Sequence, residues 1–269
     1  MGKIFLWKQS ILIPLISEEE IEYSSNVLEC IFADAIEICV RKCLKKNDGE
    51  ICTTLSGGID SSFCLAKIRE IVGSDVVINT FTTGGSEQHP DILFARRVSK
   101  LFNTVHHELI PSATEVKDAG KKLSLHWTDE PRRPGDIAVF LTYKNIADHG
   151  FRCSIAHDGI DELLGGYWEH RKYKNEKRKM NIFQSLWANL KEEHLMPLEE
   201  KASHFKVGVI FPYLQKKVVE YISKIPVGER TSFEVSKIPL RNIAKKYLPP
   251  EIIKREKCGF CNALEEMGI

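Results

Sequence analysis

The sequence lacks a long hydrophobic run, a marked excess of charge of either sign and any internal repeat. A membrane-crossing helix needs about 20 consecutive apolar residues, so no transmembrane segment is predicted. Lys and Arg number 38 against 37 Asp and Glu. The resulting net charge of +1 argues against a dedicated nucleic-acid-binding protein, which usually carries a large basic excess. With 43% hydrophobic and 28% charged residues, the 269-residue chain is expected to fold as one globular domain with room for a second small lobe.

A secretory signal is also missing from the N-terminal stretch. Lys8, Gln9 and Pro14 interrupt its apolar residues, and no small-residue cleavage site follows them. The eight cysteines are therefore expected to be mostly free and buried thiols, as in the reducing cytosol. The sequence predicts a cytoplasmic protein without a membrane partner.

Strand-like and helix-like segments alternate over the first 160 residues. The hydrophobic pattern predicts helices over residues 18–46, 62–72, 90–101, 113–125 and 137–149. Short apolar or β-branched runs predict strands over residues 50–55, 76–82, 105–110 and 151–156. This alternation is typical of a doubly wound parallel α/β sheet, because parallel neighbours are joined by helical crossovers. From residue 161 onward the pattern is mostly helical, which predicts a second lobe over 161–269.

Polar, glycine-rich segments follow three of the predicted strands. They are Ser56-Gly57-Gly58, Thr83-Gly84-Gly85 and Asp158-Gly159. In open α/β sheets, ligands bind beyond the carboxyl ends of the strands. We therefore expect these segments to lie along one edge and to form the binding site.

The segment from Thr53 to Ser62, TTLSGGIDSS, is the most informative of the three. Its glycines permit a tight turn beside an anion, and a helix N-terminus adds amide donors. The segment is neither a Walker loop nor a GxGxxG fingerprint. An aspartate beside a phosphate would be repelled unless a cation such as Mg²⁺ lay between them, so Asp60 is a candidate metal ligand. The structural alternative is an ordinary strand–turn–helix corner capped by serines.

A second acidic segment, HDGIDELLGGY, runs from His157 to Tyr167. Asp161 is expected to supply a second carboxylate to the metal that Asp60 binds, which would create a magnesium–pyrophosphate site. The alternative is helix capping by Asp158 and a preference for acidic residues in the first helical turn. Next to the glycine-rich loop, the metal-site interpretation is favoured.

Both segments resemble the ATP-pyrophosphatase superfamily, whose phosphate loop reads Ser-Gly-Gly-x-Asp-Ser. More narrowly, the chain is similar to the synthetase domain of asparagine synthetase and its relatives, including β-lactam synthetase. The resemblance extends from about residue 24 to residue 260 and includes residues 80–109, 209–226 and 237–260. Several ordered motifs at matching separations are more specific than any single loop.

This resemblance implies an adenine-nucleotide hydrolase-like fold and a ligase that uses ATP and Mg²⁺. Such a ligase adenylates a carboxylate, aspartate or a related small acid, releases pyrophosphate and forms an amide with a nitrogen nucleophile. Residues 1–160 would form the nucleotide-binding domain, with residues 1–46 as an N-terminal extension and helix, and 161–269 would complete the active site. The implied pyrophosphate ligands are Ser56, Gly57, Gly58, Ser61 and Ser62, with Asp60 and Asp161 on the metal. The implied nucleoside contacts are Thr54, Leu55, Thr83 and Gly84, and Lys257 would stabilise charge on the α-phosphate.

The chain departs from the pattern of asparagine synthetases at two places. His157-Asp158-Gly159 replaces the usual Gly-Glu-Gly. Asp158 can serve as a catalytic proton acceptor or a capping group, and His157 and Gly159 would pass close to the nucleotide, although a lone histidine is as readily structural. The segment from Trp127 to Arg133 also differs, which leaves the carboxylate substrate open. Four arginines are candidates for binding a second carboxylate, although at least two of them are more simply expected on a solvated surface: Arg132, Arg133, Arg241 and Arg255.

Glutamine-dependent relatives begin with a glutaminase domain that has a catalytic cysteine after the initiator methionine. Here Gly2 follows Met1, and too few residues precede Ser56 for such a domain. We therefore expect nitrogen to come from free ammonia, a substrate amine or a separate glutaminase subunit.

Two other functions remain open at this stage. Cys258 and Cys261 form a CxxC motif, which would suit a tRNA-modifying sulfur transferase of the same superfamily. A zinc site there would need two further ligands. A non-catalytic nucleotide-binding subunit is the third hypothesis. The basic run over 170–179 predicts a solvated face, or else a contact with a polyanion or an acidic partner.

Overall fold

The computed structural model describes residues 7–126, 135–257 and 262–267. In these residues a single sheet contains five parallel strands in the order β3-β2-β1-β4-β5. The strands are β1 (Ile51–Thr54), β2 (Ile78–Thr83), β3 (Val105–Leu109), β4 (Cys153–Ile155) and β5 (Gly208–Ile210). The strand order reverses at β1, and right-handed crossovers then place helices on both faces. The predicted doubly wound α/β sheet is thus confirmed.

Fourteen α-helices surround this sheet within the described ranges. They are α1 (Trp7–Ser10), α2 (Ser25–Lys46), α3 (Ile59–Val72), α4 (Pro90–Leu101), α5 (Ala113–His126), α6 (Asp136–Asp148), α7 (Ile160–Leu164), α8 (Trp168–Arg171), α9 (Glu176–Leu190), α10 (Met196–His204), α11 (Lys216–Ser223), α12 (Val227–Arg230), α13 (Ile238–Ala244) and α14 (Pro250–Lys254). A π-helical turn, Lys191–Leu195, joins α9 to α10. Short 3₁₀ turns lie at Pro212–Leu214 and Glu265–Met267. No helix in the described ranges is both long and apolar enough to cross a membrane.

The prediction of a helix from residue 18 was wrong at its start, because α2 begins at Ser25. The residues before it use their amides elsewhere. The Ser17 amide donates to the Ser223 carbonyl at 3.0 Å, and the Ile21 amide donates to the Lys224 carbonyl at 3.0 Å. Tertiary hydrogen bonds to the end of α11 therefore replace the helical bonds that the local sequence favours.

Strand β5 lies in the segment that the sequence pattern predicts as mostly helical. Its three residues pair with β4, with Cys153 opposite Gly208 and Ile155 opposite Ile210. So short a strand gives no periodic signal. The largest hydrophobic cluster runs from Leu15 to Ile253 and includes residues on both sides of position 160. The division into two lobes stays a prediction.

Helix α2 packs one face into the core. Its buried residues recur every three or four positions: Leu28, Phe32, Ala35, Ile36, Cys39, Val40 and Cys43. Within the described ranges the six cysteines are free, and five of them are buried: Cys39, Cys43, Cys52, Cys64 and Cys153. The expectation of free, mostly buried thiols is confirmed for these positions.

The strand order brings the two predicted motifs together. Strands β1 and β4 are neighbours, with Thr53 opposite Ile155. The glycine-rich loop leaves β1 and enters α3, and the acidic segment leaves β4 and enters α7. Both therefore begin at the carboxyl edge of the sheet, at the point where the strand order reverses. Ligands bind at this place in doubly wound sheets.

Candidate active site

The loop between β1 and α3 forms a tight turn suited to an anion. Gly57 has a φ of +71°, and a Cβ atom there would lie 2.4 Å from the backbone carbonyl carbon of Phe94 in α4. The Ser56 hydroxyl accepts a hydrogen bond from the Gly58 amide at 3.2 Å and lies 3.3 Å from the Ser61 hydroxyl. The turn leads directly into the 14-residue helix α3, whose first turn contributes amide donors and the positive end of a dipole. Position 57 therefore requires glycine, and the adjoining turn is suited to a phosphate group.

The residues predicted to contact the nucleoside lie side by side on β1 and β2. Thr54 ends β1 and Leu55 follows it, and in the same way Thr83 ends β2 and Gly84 follows it. The Thr83 side chain is buried, and its hydroxyl lies 2.7 Å from the hydroxyl of Thr142 in α6. This contact gives Thr83 a packing role. Nucleoside contact by these four residues stays a prediction.

Asp60 and Asp161, the two predicted metal ligands, lie on either side of one lysine. The Lys237 amine is 2.5 Å from Asp60 Oδ2 and 2.6 Å from Asp161 Oδ1. Burial raises the pKa of the Asp60 carboxyl above its ordinary value, although Lys237 opposes the rise. Burial also acts to raise the pKa of Asp161, but Lys237 and Lys257 outweigh it and hold that pKa well below its usual range. The fold therefore brings the two carboxylates together around a shared cation.

Lys257 lies at the other side of Asp161. Its amine is 2.7 Å from Asp161 Oδ2 and 4.1 Å from the centre of the Tyr167 ring. An ammonium group over an aromatic face is attracted by the ring quadrupole. The side chain remains one-third exposed, in contrast to that of Lys237, which is 3% exposed. This position is compatible with a cation that meets the phosphates of a nucleotide.

Glu162 and Tyr167 form a hydrogen-bonded pair next to this cluster. The Tyr167 hydroxyl donates to Glu162 Oε1 at 2.9 Å. Burial, reinforced by the neighbouring Asp161 carboxylate, raises the pKa of Glu162 to about 7. Burial and the adjacent Glu162 and Asp161 carboxylates also raise the pKa of Tyr167, so the phenol stays protonated. Tyr167 therefore holds the Glu162 carboxyl through its hydroxyl and the Lys257 ammonium group through its ring.

The segment His157-Asp158-Gly159, which stands where asparagine synthetases have Gly-Glu-Gly, lies beside these residues. Burial raises the pKa of Asp158, and His194 and Lys257 oppose that rise. A carboxyl with a raised pKa is suited to accepting a proton, which is the predicted role of Asp158. Gly159 has a φ of +94°, and a Cβ atom there would lie 2.3 Å from Leu214 Cδ2. Packing thus explains Gly159, and its approach to a nucleotide stays a prediction.

The oxygen-rich residues of this cluster suit Mg²⁺ when a nucleotide supplies further ligands. Asp60 Oδ1 and the Ser62 hydroxyl are buried without a hydrogen-bond partner in the described structure. No group of three His, Cys, Asp or Glu side chains that could hold a metal alone is found among the described residues. Mg²⁺ is typically bound by one or two carboxylates together with substrate phosphates and water. Asp60 and Asp161 fit that pattern.

A match to a protein-family model shows which family the chain belongs to. The asparagine synthase family model matches residues 32–204 and 193–267, which is most of the chain. The chain belongs to the asparagine synthase family. The resemblance that the motifs indicated is therefore confirmed.

Curated members of the family are similar over most of the chain. Glutamine-hydrolyzing asparagine synthetase 2 of Oryza sativa subsp. japonica is 27% identical over 230 residues, or 78% of this chain and 38% of that protein. The glutamine-hydrolyzing asparagine synthetase of Rattus norvegicus is 26% identical over 254 residues, or 91% of this chain and 44% of that protein. The chain thus spans about two-fifths of the length of these relatives.

Among solved structures, an NMN synthetase from Francisella tularensis is similar over 78% of this chain and 97% of its own. The sequence identity is 11% and the TM-score is 0.38, a likeness too weak to carry an argument about function.

In this asparagine synthase family chain, the sequence assigned no role to three residues of the site: Lys237, Glu162 and Tyr167. Lys237 begins the segment 237–260 on which part of the resemblance rests, but it lies 177 positions from Asp60, so no local pattern shows that the two side chains meet. Glu162 and Tyr167 lie within the recognised acidic segment. They are only five positions apart in the chain, but nothing in the sequence indicates the hydrogen bond between them.

Arg241 and Arg255, which were candidates for gripping a second carboxylate, are both engaged within the protein. Arg255 donates to the Ser56 carbonyl at 2.5 Å, pairs with Asp91 and lies over the Phe94 ring at 4.6 Å. Arg241 donates to backbone carbonyls, one of them the Ser236 carbonyl at 2.7 Å. Arg255 thus ties the segment before Lys257 to the phosphate loop.

The basic run over 170–179 is exposed at most of its positions, as predicted for a solvated face. The prediction was wrong for His170, which is fully buried. Its Nδ1 atom accepts the Tyr167 amide at 3.3 Å, and its ring packs on Phe183 with the centroids 4.3 Å apart. Arg132 and Arg133, the rest of the segment from Trp127 to Arg133, and the cysteines at positions 258 and 261 lie outside the described residues.

Replacing His157 by glutamine is expected to flatten the pH dependence of stability. The Nε2 atom of His157 lies 3.3 Å from the Thr53 hydroxyl, and burial lowers the pKa of this histidine to about 3. Between the ordinary pKa of about 6.5 and that value, the unfolded chain binds a proton that the folded chain does not. His157 therefore lowers the free energy of unfolding as pH falls through this window, by at most about 1.4 kcal/mol per pH unit.

Urea unfolding of the parent and the His157→Gln variant at pH 7.5 and pH 5.5 measures this effect. The parent should lose more stability than the variant between the two values. Equal losses would show that His157 does not contribute to the pH dependence.

Proposed function

We propose that the chain is an ATP-dependent ligase that adenylates a small carboxylate, aspartate or a related acid, and then forms an amide. Pyrophosphate would leave in the first step, and AMP would leave when ammonia or an amine attacks the acyl-adenylate. The observation that carries the proposal is the meeting of the phosphate loop with Asp60, Lys237, Asp161 and Lys257 at the carboxyl edge of the sheet. Family membership supports it independently.

The phosphate loop would bind the pyrophosphate part of ATP. Gly57 and Gly58 let the backbone approach the phosphates, while Ser56, Ser61 and Ser62 offer hydroxyl groups. The Ser62 hydroxyl is free of partners among the described residues, so it can donate to a phosphate oxygen. Asp60 and Asp161 would hold Mg²⁺, which when bound neutralises charge on the phosphates.

One lysine and one carboxylate would assist the two chemical steps. Lys257 would stabilise negative charge that develops at the α-phosphate, because its amine lies 2.7 Å from Asp161 and its side chain is one-third exposed. Asp158 would accept the proton that the nitrogen nucleophile loses, in keeping with its raised pKa. Thr54, Leu55, Thr83 and Gly84 would lie against the nucleoside.

The nitrogen donor in this proposal is ammonia, a substrate amine or ammonia from a separate glutaminase subunit. The matched relatives are named glutamine-hydrolyzing, and the chain spans about two-fifths of their length. A cytoplasmic setting belongs to the same proposal, because the described cysteines are free thiols.

The test incubates the protein with ATP, Mg²⁺, ammonium and a panel of small carboxylates, aspartate included. The proposal expects AMP and pyrophosphate in equal amounts, formed only when a carboxylate is present. Carboxylate-dependent release of ADP and phosphate would overturn it, because that outcome indicates an acyl-phosphate.

A further inference from the structure

The Lys237 side chain is built into the site between two acids. It is 3% exposed, and its amine contacts Asp60 and Asp161 at 2.5 and 2.6 Å. Its backbone has a φ of +52°, an unfavourable conformation for lysine, immediately before Ile238 and Pro239 at the start of α13. Strained backbone of this kind persists where the surrounding structure imposes it and is concentrated at functional sites.

Gly166 provides the space for this arrangement. A Cβ atom at that position would lie 1.7 Å from Asp161 Oδ1 and 2.5 Å from Lys237 Cε. Any larger residue would displace the ion pair. The absence of a side chain at position 166 therefore leaves space for the Lys237 ammonium group, at the place where a metal ion was predicted.

The charges of the cluster balance without a metal ion. Lys237 lies between the two carboxylates, and Lys257 holds the second oxygen of Asp161 at 2.7 Å. Two adjacent buried carboxylates repel each other unless a cation lies between them. A divalent ion added alone would bring two more positive charges next to a buried ammonium group. It would also compete for the same carboxylate oxygens.

We propose that Lys237 is the resident cation of the nucleotide-free site and that the divalent metal enters only together with the nucleotide, whose phosphates then receive the Lys237 ammonium group. This inference rests on the proposed function, because it takes the ligand to be a metal–nucleotide complex. Negative phosphate oxygens offset the charge of the entering metal. They also offer the lysine a new partner, and Asp60 and Asp161 are released to the metal.

The test measures binding of Mn²⁺ to the full chain, with and without α,β-methylene-ATP, through the electron paramagnetic resonance signal of free Mn²⁺. A titration without protein gives the Mn²⁺ that the nucleotide binds by itself, and this amount is subtracted. In the parent protein, Mn²⁺ should bind at least about tenfold more tightly with α,β-methylene-ATP present than without nucleotide. Lys237→Met should bind nucleotide-free Mn²⁺ at least about tenfold more tightly than the parent, because two carboxylates lose their cation. Lys246→Met is the matched control, since Lys246 pairs with Glu29 at 2.6 Å outside the site. It should bind Mn²⁺ as the parent does.

Two results would overturn the inference. One is nucleotide-free Mn²⁺ binding that is equally tight in the parent and in Lys237→Met. The other is measured on the parent protein alone, so it does not depend on the folding of a variant. It is Mn²⁺ binding that is as tight without nucleotide as with it. A parent that binds no nucleotide would instead contradict the proposed function, and the nucleotide-free titration of Lys237→Met would still decide the role of Lys237.

Discussion

Replacing Asp60 by asparagine is expected to lower carboxylate-dependent pyrophosphate release by about 10³-fold or more while the fold stays intact. The substitution keeps the shape of the side chain and removes its negative charge. Asp60 is a proposed Mg²⁺ ligand, with one oxygen on Lys237 and the other without a partner in the described structure. The Lys237 ammonium group keeps a carboxylate partner in this variant, because Asp161 Oδ1 lies 2.6 Å from it, so the fold should tolerate the substitution.

Pyrophosphate release and circular dichroism on the same preparation measure the two parts of this prediction. Asp118→Asn is the matched control, since Asp118 is exposed and pairs with Lys121 on α5. It should leave turnover unchanged. Full turnover in Asp60→Asn would remove the metal assignment at this position.

Gly57→Ala is expected to damage both the stability and the activity of the protein. The added Cβ would lie 2.4 Å from the Phe94 carbonyl carbon and 2.5 Å from the Ala95 amide nitrogen. Both atoms belong to the backbone of α4 and cannot turn away as a flexible side chain can. The positive φ adds about 1–2 kcal/mol, and the overpacking brings the expected loss to roughly 3 kcal/mol or more. Pyrophosphate release should fall because the phosphate loop has to move.

Gly150→Ala separates the effect of backbone conformation from the clash. Gly150 has a φ of +89°, and no atom lies within 4 Å of a Cβ built there. This variant should lose only about 1–2 kcal/mol of unfolding free energy and retain its turnover. A Gly57→Ala variant that is no less stable than Gly150→Ala in urea would contradict the close approach of the loop to α4.

Sequence patterns predicted the helices and strands whose ends are determined by neighbouring residues in the chain. Helix α4 was predicted with its observed bounds, Pro90 to Leu101, because proline at the first turn and an amphipathic pattern mark it. The start of α2 was predicted too early, because hydrogen bonds from residues 17–24 to the end of α11 are tertiary. Strand β5 has three residues and gains its structure from pairing with β4. No window of sequence shows that partner.

The candidate site divides in the same way. Glycines and acids that follow a strand could be read from the sequence, because their chemistry and position in the chain coincide. The role of Lys237 could not be read from the sequence, because it depends on an ion pair with Asp60, which lies 177 positions away in the chain. Arg255 was considered for a substrate carboxylate, but it contacts the Ser56 carbonyl and Asp91. A charged residue shows its type in the sequence, whereas its partner is determined by the fold.

Isotope transfer from the carboxylate to AMP tests the central proposal most directly. The substrate found in the panel is labelled with ¹⁸O in its carboxyl group, and the AMP formed is analysed by mass spectrometry. Attack of the carboxylate on the α-phosphorus, followed by displacement of AMP, should leave one ¹⁸O atom in each AMP. AMP without label would contradict adenylation of the carboxylate.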